Sequence, residues 1–441
     1  MKKSLITLLT IPLLLSGCSL FGGGGDENDP NSETGSKKLS IRFHVDESSA
    51  EGQGYKKLID QFNTEHAAEE IMVTPDFRAR SDGDIAFEND LATDMTEGTL
   101  PDIITFDAPK CSSYAETGYL YDISELLSSE EKAKYLSLNT YKGKLYGIPI
   151  QESSAGFYYN KTIFHNAGLD YVSNYTVQNP WTFDEFKTVC ETLKNAGGVT
   201  RAVDMRLDTD KSETATYLLY PFIYAAGGSF VDEIGLQAMG YFNSNASKDG
   251  FRFIRELQDA GYTGRDIGAT DFFTGKVGMY LSSGWTIPDL DNKFPTTFGN
   301  HDRSKWGILP YPKSVKAASA TGSWSFAITA NKRKDKTLVV ELLKFLTNPT
   351  SSKLITDHTG MIPANKEAPV EYKAGDPEKV LYDQLQTTGK ERPVTIGYSE
   401  FTESFRQVIS EMSGPTKTKD DVNSIVDNKA RVFQDGLDLL K

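Results

Sequence analysis

The sequence predicts an α/β protein of two lobes, and three observations support this fold class. Patterns typical of strands and helices alternate between Lys38 and Phe106, as they do in sheets with parallel strands. The chain has 441 residues, which is too many for one compact core. Two stretches, Tyr146–Phe164 and Ala320–Ala330, combine small polar residues with a short strand pattern. We interpret each as a crossing between the lobes.

The N-terminus begins with a segment typical of a signal peptide core. Lys2 and Lys3 precede an apolar run, Leu5–Leu15, that is too short to span a bilayer. The run ends in Leu-Ser-Gly-Cys at Cys18, which resembles the bacterial lipoprotein signal. This resemblance implies a signal peptide over residues 1–17 and lipidation of Cys18. The acyl chains would anchor the protein to the extracellular face of the cell membrane.

A polar segment follows Cys18. Between Gly22 and Leu39 the chain consists of glycines, charged residues, small polar residues and one proline. Such a segment cannot bury enough apolar surface to order itself. We therefore predict a flexible tether over residues 18–37.

Composition excludes several classes of partner and site. The formal net charge is −14, the isoelectric point is about 5.0, and no basic run follows the signal segment. Nucleic acid and anionic membrane surfaces are therefore not expected as partners. Besides Cys18 the chain contains only Cys111 and Cys190, so we expect neither a disulfide framework nor a cysteine metal site. Both are predicted to be small core residues.

Three strand patterns and one helix pattern begin the folded part. Lys38–Val45 alternates apolar with more polar residues, and Ile71–Val73 and Pro101–Phe106 are further apolar runs. Strands separated by helices in this order are typical of a parallel sheet. The helix after the first strand has one apolar face, formed by Tyr55, Leu58, Ile59 and Phe62.

Acidic residues lie at the predicted carboxyl ends of two of these strands. Asp46 and Glu47 follow the first strand, and Asp107 follows the third. Ligands of parallel α/β sheets bind at these ends, and a carboxylate accepts hydrogen bonds from hydroxyl groups. We therefore select Asp46, Glu47 and Asp107 as candidate ligand-binding acids.

The stretch Tyr146–Phe164 is the centre of the expected organisation. Gly147 and Pro149 indicate a turn, small polar residues continue to Gly156, and an aromatic strand follows over Phe157–Tyr159. A chain that changes from loop to buried strand at this position is expected to cross between lobes. Such a crossing borders the cleft in which a ligand binds.

Beyond the crossing, Trp181 is assigned a structural role. Thr182 and Glu185 have the spacing of a capping box, and Trp181 and Phe186 are placed to form the hydrophobic staple around it. Periodicity predicts the remaining elements. The helices are expected at Tyr217–Gly228, Phe251–Leu257, Leu338–Leu346, Ser399–Met412 and Asp421–Leu440, and the strands at Val277–Leu281 and Trp306–Pro312.

Four aromatic residues stand at predicted strand or helix ends. Trp285 and Trp324 each come directly after a glycine or a Gly-Ser pair, and Tyr217 and Tyr220 open a helix. A flat aromatic ring suits the apolar C–H face of a sugar, whose hydroxyl groups suit carboxylates. Together with the three candidate acids, these four residues form the candidate carbohydrate-binding set.

The sequence contains no motif for catalysis or metal binding. It has no G-x-S-x-G elbow and no Walker A sequence. No two histidines have the i, i+4 spacing of a helical zinc pair. We therefore predict no catalytic residue, no metal and no cofactor. The histidines, each expected on the surface or in a loop, are His44, His66, His165, His301 and His358.

Several motifs, taken in order, carry a resemblance to a known family. They are PDIITF, YGIPIQESSAGFYYNKTIFHNAGL, PWTFDEF, FFTGKVGMYLSSGW, GSWSFAITANKRKDKTLVVELLKFLTNP and GMIP. In order and spacing they resemble the extracellular solute-binding proteins of ABC importers, of the type that includes maltose and oligosaccharide binders. The resemblance covers nearly all of Cys18–Lys441.

The resemblance implies the Venus flytrap fold of periplasmic binding proteins. In this fold two α/β lobes, each built from discontinuous segments, are joined by hinge strands and close around one ligand. The expected N-terminal lobe comprises residues 38–150 plus 322–365. The expected C-terminal lobe comprises residues 151–321 plus 366–441.

Matched by position, the resemblance places five residues at the cleft. They are Asp46, Tyr217, Tyr220, Trp285 and Trp324. It implies a monomer that binds a carbohydrate and delivers it to permease subunits in the membrane, without catalysis. The chain departs from maltose binders at Phe106-Asp107 and at Tyr398–Glu403, which leaves the identity of the sugar open.

Three other functions are compatible with the sequence. Carboxylates that face aromatic rings also suit a cationic solute such as a polyamine. A surface glycoside hydrolase requires two carboxylates about 5–10 Å apart, which Asp46 or Glu47 could form with Asp107. An adhesin would need no deep cleft.

Overall fold

The structure, a computed structural model, describes residues 37–80, 84–196, 198–299 and 301–441. The expected signal peptide, Cys18 and all but the last residue of the expected tether lie outside these ranges. Within the described ranges, no helix has both the length and the apolar character that crossing a bilayer requires.

The described chain contains strands and helices along its whole length. Its strands are β1 (Lys38–His44), β2 (Met72–Arg78), β3 (Ile103–Asp107), β4 (Asn139–Tyr141), β5 (Lys144–Ser153), β6 (Ala155–Asn160), β7 (Arg201–Asp204), β8 (Val277–Ser283), β9 (Trp306–Leu309), β10 (Ser319–Ala320), β11 (Gly322–Ile328), β12 (Ile362–Pro363) and β13 (Gly389–Lys390). Its helices are α1 (Ala50–Glu65), α2 (Asp84–Glu97), α3 (Cys111–Glu116), α4 (Ser129–Ala133), α5 (Lys161–Asn166), α6 (Phe183–Asn195), α7 (Glu213–Ala225), α8 (Asn245–Asp259), α9 (Ile287–Asn292), α10 (Pro295–Phe298), α11 (Thr337–Leu346), α12 (Pro349–Thr359), α13 (Glu378–Thr387), α14 (Tyr398–Met412) and α15 (Val422–Leu439).

The first lobe is built on a sheet with the strand order β12-β5-β11-β3-β1-β2, to which β4 is added beside β5. Strand β1 is parallel to β2 and β3, whereas β11 is antiparallel to β3 and β5. Helix α1 packs into the core of this lobe through Tyr55, Leu58, Ile59 and Phe62, which are all buried. The helical face predicted from the sequence is therefore confirmed.

The second lobe is built on a smaller sheet with the order β7-β8-β6-β9. Strand β6 is antiparallel to both of its neighbours, and β7 is parallel to β8. A large aromatic core joins this sheet to the surrounding helices and includes Phe157, Phe222, Phe401 and Phe433. The two closing helices expected from periodicity are α14 and α15, which bury their apolar faces in this core.

The chain enters and leaves the first sheet at two adjoining crossings. Strand β5 of the first sheet continues into β6 of the second through Ser154, and β10, which pairs with β13 in a separate two-stranded sheet, leads into β11 of the first sheet through Thr321. The turn predicted at Gly147 and Pro149 is wrong, because both residues lie inside β5.

The residues that indicated a turn have other roles in this strand. A Cβ atom at Gly147 would lie 2.7 Å from the ring of Phe106, so glycine is needed there for packing. Pro149 lies beside the register shift of β11 between Trp324 and Ser325, and irregular positions of a sheet tolerate a residue without an N–H. The polar residues after Pro149 also extend the strand, because β11 and β12 pair with it on both sides.

The structural role predicted for Trp181 is confirmed. The side chain of Thr182 and that of Glu185 form the capping box at the start of α6. The Trp181 ring lies 4.9 Å from that of Phe186, and its Nε1 donates to the carbonyl of Pro310 at 2.7 Å.

One histidine differs from its prediction. His44 is 4 % exposed and stacks on the ring of Phe87 at 4.3 Å, because its position in β1 directs it into the first lobe. The prediction that it lies on the surface is therefore wrong. Cys111 and Cys190 are buried free thiols as predicted, and burial raises the pKa of Cys111 to about 12.

Candidate functional site

Three neighbouring strands of the first lobe each place one residue where the lobes meet. Trp324 on β11 is paired with Asp107 on β3 and with Gln151 on β5. Directly paired residues project their side chains from the same face of a sheet. Asp107 is the last residue of β3, at the carboxyl end that the sequence indicates. The row Gln151, Trp324 and Asp107 forms the first lobe's side of the contact between lobes, which we call the seam.

Asp107 binds an arginine that follows β13. Its two carboxylate oxygens accept hydrogen bonds from Nη1 and Nη2 of Arg392 at 2.7 and 2.6 Å. Nη1 also donates to Oε1 of Glu213, the first residue of α7, at 2.7 Å. Burial disfavours the charged guanidinium, but the negative charges of Asp107 and Glu213 raise the pKa of Arg392 well above its ordinary value. One buried cation thus joins an acid of the first lobe to an acid of the second.

Tyr217 and Trp285 form an aromatic surface on the second lobe's side of the seam. The Tyr217 hydroxyl donates to Oγ of Ser153 at 2.7 Å, which connects α7 to the end of β5. The Tyr217 ring centre lies 5.7 Å from that of Trp285. Trp285 is 39 % exposed, so much of its surface is available to a ligand. Burial raises the pKa of Tyr217 to about 12, which keeps its hydroxyl protonated.

Tyr220, which the resemblance also places at the cleft, is fully buried. Its hydroxyl accepts from the N–H of Thr321 at 2.8 Å and donates to the carbonyl of Lys390. These bonds hold α7 against the chain between β10 and β11. A ligand could reach this hydroxyl only by displacing backbone hydrogen bonds.

Trp324 carries a cation on one face. The guanidinium carbon of Arg80 lies 3.6 Å from the centroid of the indole. Glu51 accepts from Nη1 and Nη2 of Arg80 at 2.8 and 3.1 Å, and from Nε2 of Gln151 at 3.0 Å. The ring of His44 meets the indole edge-on at 5.7 Å. Protein groups therefore occupy part of the surface that Trp324 would offer to a sugar.

Asp46 and Glu47 have a different environment from Asp107. Both are exposed at the start of α1. Asp46 accepts from the hydroxyl and the N–H of Ser48 at 2.8 and 3.0 Å, and these bonds lower the pKa of Asp46. Glu47 forms an ion pair of 2.6 Å with Lys56. The rule that ligands bind at strand ends selected all three acids, but only Asp107 is bound across the lobes in the contacts described.

Close contacts connect the two lobes in a circuit around the seam. Asp107 binds Arg392, whose guanidinium lies over the ring of Tyr217, and the Tyr217 ring neighbours that of Trp285. Gly284, next to Trp285, lies close to Gly360, and the hydroxyl of Thr359, next to Gly360, donates to Gln151. Gln151 pairs with Trp324, which pairs with Asp107. Four of the predicted site residues, Asp107, Tyr217, Trp285 and Trp324, lie on this circuit.

Several residues of the seam have no signal in the sequence. Arg392, Glu213, Arg80 and Glu51 stand at no strand end predicted from the sequence and in no recognisable motif. Gln151 lies inside the crossing stretch, and a correct assignment of β5 as a continuous strand would have placed it beside Trp324. The other four are found only through partners that are distant in the chain.

The acids of the seam are compensated by cations. Asp107 and Glu213 share Arg392, Glu51 binds Arg80, and Glu88 of α2 binds Lys110 at 2.5 Å. In the part of the chain that the structure describes, no group of three or more His, Cys, Asp or Glu side chains could hold a metal ion. The site therefore offers aromatic rings and hydrogen-bonding groups whose charges are largely balanced.

Comparison with known proteins assigns the chain to a family. Residues 57–378 match the family described as bacterial extracellular solute-binding protein. The chain belongs to this family. The maltooligosaccharide ABC transporter solute-binding lipoprotein of Streptococcus pneumoniae (strain ATCC BAA-255 / R6) is 23 % identical to this solute-binding protein over 373 residues. The similarity covers 82 % of this chain and 80 % of that relative.

Solved structures have the same two-lobed fold as this solute-binding protein. The GacH receptor of Streptomyces glaucescens GLA.O, solved unliganded and in complex with acarbose, has a TM-score of 0.72 at 20 % identity, covering 90 % of this chain and 98 % of that chain. UgpB of Mycobacterium tuberculosis, solved in complex with glycerophosphocholine, has a TM-score of 0.72 at 19 % identity, covering 92 % of this chain and 100 % of that chain. The predicted fold is therefore confirmed.

Proposed function

We propose that this solute-binding protein captures a carbohydrate between its lobes and delivers it to the permease subunits of an ABC importer. The observation that carries the proposal is Trp285, a tryptophan that remains 39 % exposed where the two lobes meet and whose ring neighbours that of Tyr217. An exposed indole at such a position suits the apolar face of a sugar ring. The similarity to a maltooligosaccharide-binding relative and to an acarbose-binding receptor supports a sugar.

Each candidate residue has a proposed role that follows from its environment. Trp285 stacks on a sugar ring, with Tyr217 as the neighbouring aromatic surface. Asp107 accepts from sugar hydroxyls with the lone pairs that Arg392 leaves available. Trp324 contributes the part of its ring that Arg80 does not cover. In this scheme, the residues with a peripheral or supporting role are Asp46, Glu47 and Tyr220.

The balance of charge at the seam favours a neutral solute over a polyamine. A polyamine gains its affinity from carboxylates that lack a cationic partner. Asp107, Glu213 and Glu51 each already bind a guanidinium. A cation would have to displace an arginine, whereas a sugar can add hydrogen bonds to the existing pairs.

Hinge movement is the proposed mechanism of capture. A solute that contacts both lobes only when they are joined stabilises the joined state through its differential affinity. We propose the two lobes expected from the sequence, with the first boundary moved from residue 150 to Ser154, so that all of β5 belongs to the first lobe. The crossing at Thr321 supports the expected second boundary.

A thermal-shift screen tests the proposed solute. The protein is heated with a panel of mono- and oligosaccharides, with glycerophosphocholine and with spermidine, because only a solute that binds the native state raises Tm by mass action. We expect one or more sugars to raise Tm in the wild type and in Tyr171→Ala, which removes an aromatic residue of the second lobe that is 45 % exposed. The same sugars should not raise Tm in Trp285→Ala.

Two outcomes of the screen would contradict the proposal. A shift with spermidine or glycerophosphocholine and with no sugar would replace the carbohydrate by that solute. Shortened products after incubation with an oligosaccharide would indicate a glycoside hydrolase.

We also propose that Cys18 anchors the protein to the outer face of the membrane. The sequence Leu-Ser-Gly-Cys after a short apolar run supports this proposal. Cys18→Ser should move the protein from the membrane fraction to the soluble fraction. Retention of this variant in the membrane fraction would contradict lipid anchoring at Cys18.

A further inference from the structure

Residues 392–399, which we call the strap, bind both lobes at successive positions. The strap follows β13 and leads into α14, so it belongs to the second lobe. Its contacts with the first lobe are made to α2, to the end of β3 and to α3. Arg392 adjoins the ring of Tyr217, so the strap lies beside the surface that we propose for the sugar.

The first contact of the strap is the ion pair between Arg392 and Asp107. Both hydrogen bonds are charge-assisted and join two planar groups in parallel, which is the strongest common form of side-chain pairing. Asp107 is 7 % exposed and Arg392 is 5 % exposed, so salt and water screen the pair weakly. Glu213 holds the same guanidinium from the second lobe.

The second contact repeats this arrangement, and the third adds a bond to the first lobe. The hydroxyl of Ser112 in the first lobe donates to the carbonyl of Thr395 at 2.7 Å, and the Thr395 hydroxyl donates to the carbonyl of Gly235 in the second lobe at 2.6 Å. The hydroxyl of Ser399 donates to Glu88 of α2 at 3.3 Å.

A glycine allows the lobes to approach closely at this position. A Cβ atom at Gly322 would lie 3.0 Å from the Tyr217 ring, 3.2 Å from Nη2 of Arg392 and 3.3 Å from Oγ of Ser153. These distances are shorter than ordinary van der Waals contact. A larger residue at position 322 would therefore separate the groups that the strap brings together.

We propose that the strap is a latch that shifts the hinge equilibrium toward the joined state of the two lobes, with the pair between Asp107 and Arg392 as its principal bond. The proposal goes beyond carbohydrate capture and does not depend on which solute binds. A latch of this kind biases the hinge toward the joined state before the solute arrives. The solute then needs less differential affinity to complete closure.

Small-angle X-ray scattering of the protein without solute tests the latch. The full chain is used with Cys18→Ser in every sample, so that no acyl chain is added. Asp107→Asn removes the charge on the first lobe and leaves Arg392 bound to Glu213. We expect this variant to shift to a larger radius of gyration than the parent protein.

The matched control is Asp102→Asn, the same substitution at a buried acid that binds an arginine within the first lobe. Asp102 accepts from Nε of Arg333 at 2.7 Å and is 3 % exposed. The control should keep the parent radius of gyration. An unchanged radius in Asp107→Asn, or an equal increase in both variants, would overturn the proposal.

A second variant keeps the test decisive if Asp107→Asn does not fold. Arg392→Lys keeps a cation between the two acids but loses the bidentate geometry, so it should give a smaller increase in radius. Circular dichroism confirms folding of each variant. These readouts use no sugar, so failure of the latch is distinguishable from failure of the proposed carbohydrate function.

Discussion

The two lobes contribute unlike surfaces to the seam. On the first lobe polar side chains bind one another, since Glu51 accepts from Arg80 and Gln151, and Arg80 covers one face of Trp324. On the second lobe Trp285 is 39 % exposed and has Tyr217 as its aromatic neighbour. The first surface is occupied by the protein's own groups, and the second is partly open.

This difference separates contributions to stability from contributions to binding. Removing the partner of a buried polar group lowers the free energy of unfolding. Removing an exposed aromatic ring changes the free energy of unfolding little but can weaken ligand binding strongly. Substitutions in the first-lobe set should therefore change the free energy of unfolding, whereas substitution of Trp285 should change affinity.

The largest expected effect concerns an acid buried in each lobe. Burial raises the pKa of Glu152 in the first lobe to about 8 and that of Asp204 in the second lobe to about 6. The native state keeps each proton after the unfolded state has lost it. The free energy of unfolding should therefore fall as pH rises. The fall takes place between about pH 4.5 and pH 8 for Glu152 and between about pH 4 and pH 6 for Asp204.

Glu152→Gln and Asp204→Asn should each remove one of these declines. At about 1.4 kcal/mol per pKa unit, the decline is roughly 4–5 kcal/mol for Glu152 and roughly 3 kcal/mol for Asp204. Urea unfolding between pH 4 and 9 measures both. If the wild type and Glu152→Gln have parallel stability curves between pH 6 and 8, the acid in the first lobe does not hold its proton.

The next effect concerns Glu51, which connects the polar side chains of the first lobe. Glu51→Ala removes the partner of Arg80, Gln151 and the Tyr55 hydroxyl. We expect a loss of about 2–3 kcal/mol in the free energy of unfolding, because three donors lose their acceptor. Glu51→Gln keeps one acceptor oxygen and should lose less. Equal stability of wild type and Glu51→Ala in urea would show that the network contributes nothing.

Much of the fold was predictable because its signals are local. The buried face of α1 follows from four residues within one helix, and the capping box at Thr182 and Glu185 follows from their spacing. The ends of β3 and β8 were located closely enough to select Asp107 and Trp285. Residues that also serve in turns misled the assignment of β5, because Gly147 fits beside Phe106 and Pro149 lies beside a bulge.

The charged part of the seam could not be predicted, for a physical reason. Asp107 and Arg392 are 285 positions apart, and periodicity reports only on neighbours within one element. Trp324 was selected from its position, but the sequence contains no signal that Arg80 lies on its ring. Tyr217 and Tyr220 were selected together from one helix, and only the packing of α7 shows that the first faces Trp285 and the second faces the backbone at Thr321.

Substitution of the tryptophans should separate the two surfaces. Trp285→Ala should weaken binding of the sugar found in the thermal-shift screen more than tenfold, equal to about 2 kcal/mol of lost apolar contact. The free energy of unfolding should change little. Trp324→Ala should lower stability as well, because Arg80 and His44 pack on its ring. Calorimetry and urea unfolding measure the two quantities, and unchanged affinity in Trp285→Ala would remove this residue from the site.

The smallest expected effect is at Glu47, which follows β1 as Asp107 ends β3. The side chains of Glu47 and Lys56 are each 48 % exposed, and exposed ion pairs contribute little to stability because water and salt screen them. Glu47→Ala should therefore keep the wild-type Tm and bind the same sugar within about twofold, as calorimetry would measure. A loss of tenfold or more would mean that the start of α1 reaches the solute when the lobes join. The two strand ends of the first lobe would then be equivalent in binding, and the contrast between an occupied and an open surface would no longer hold.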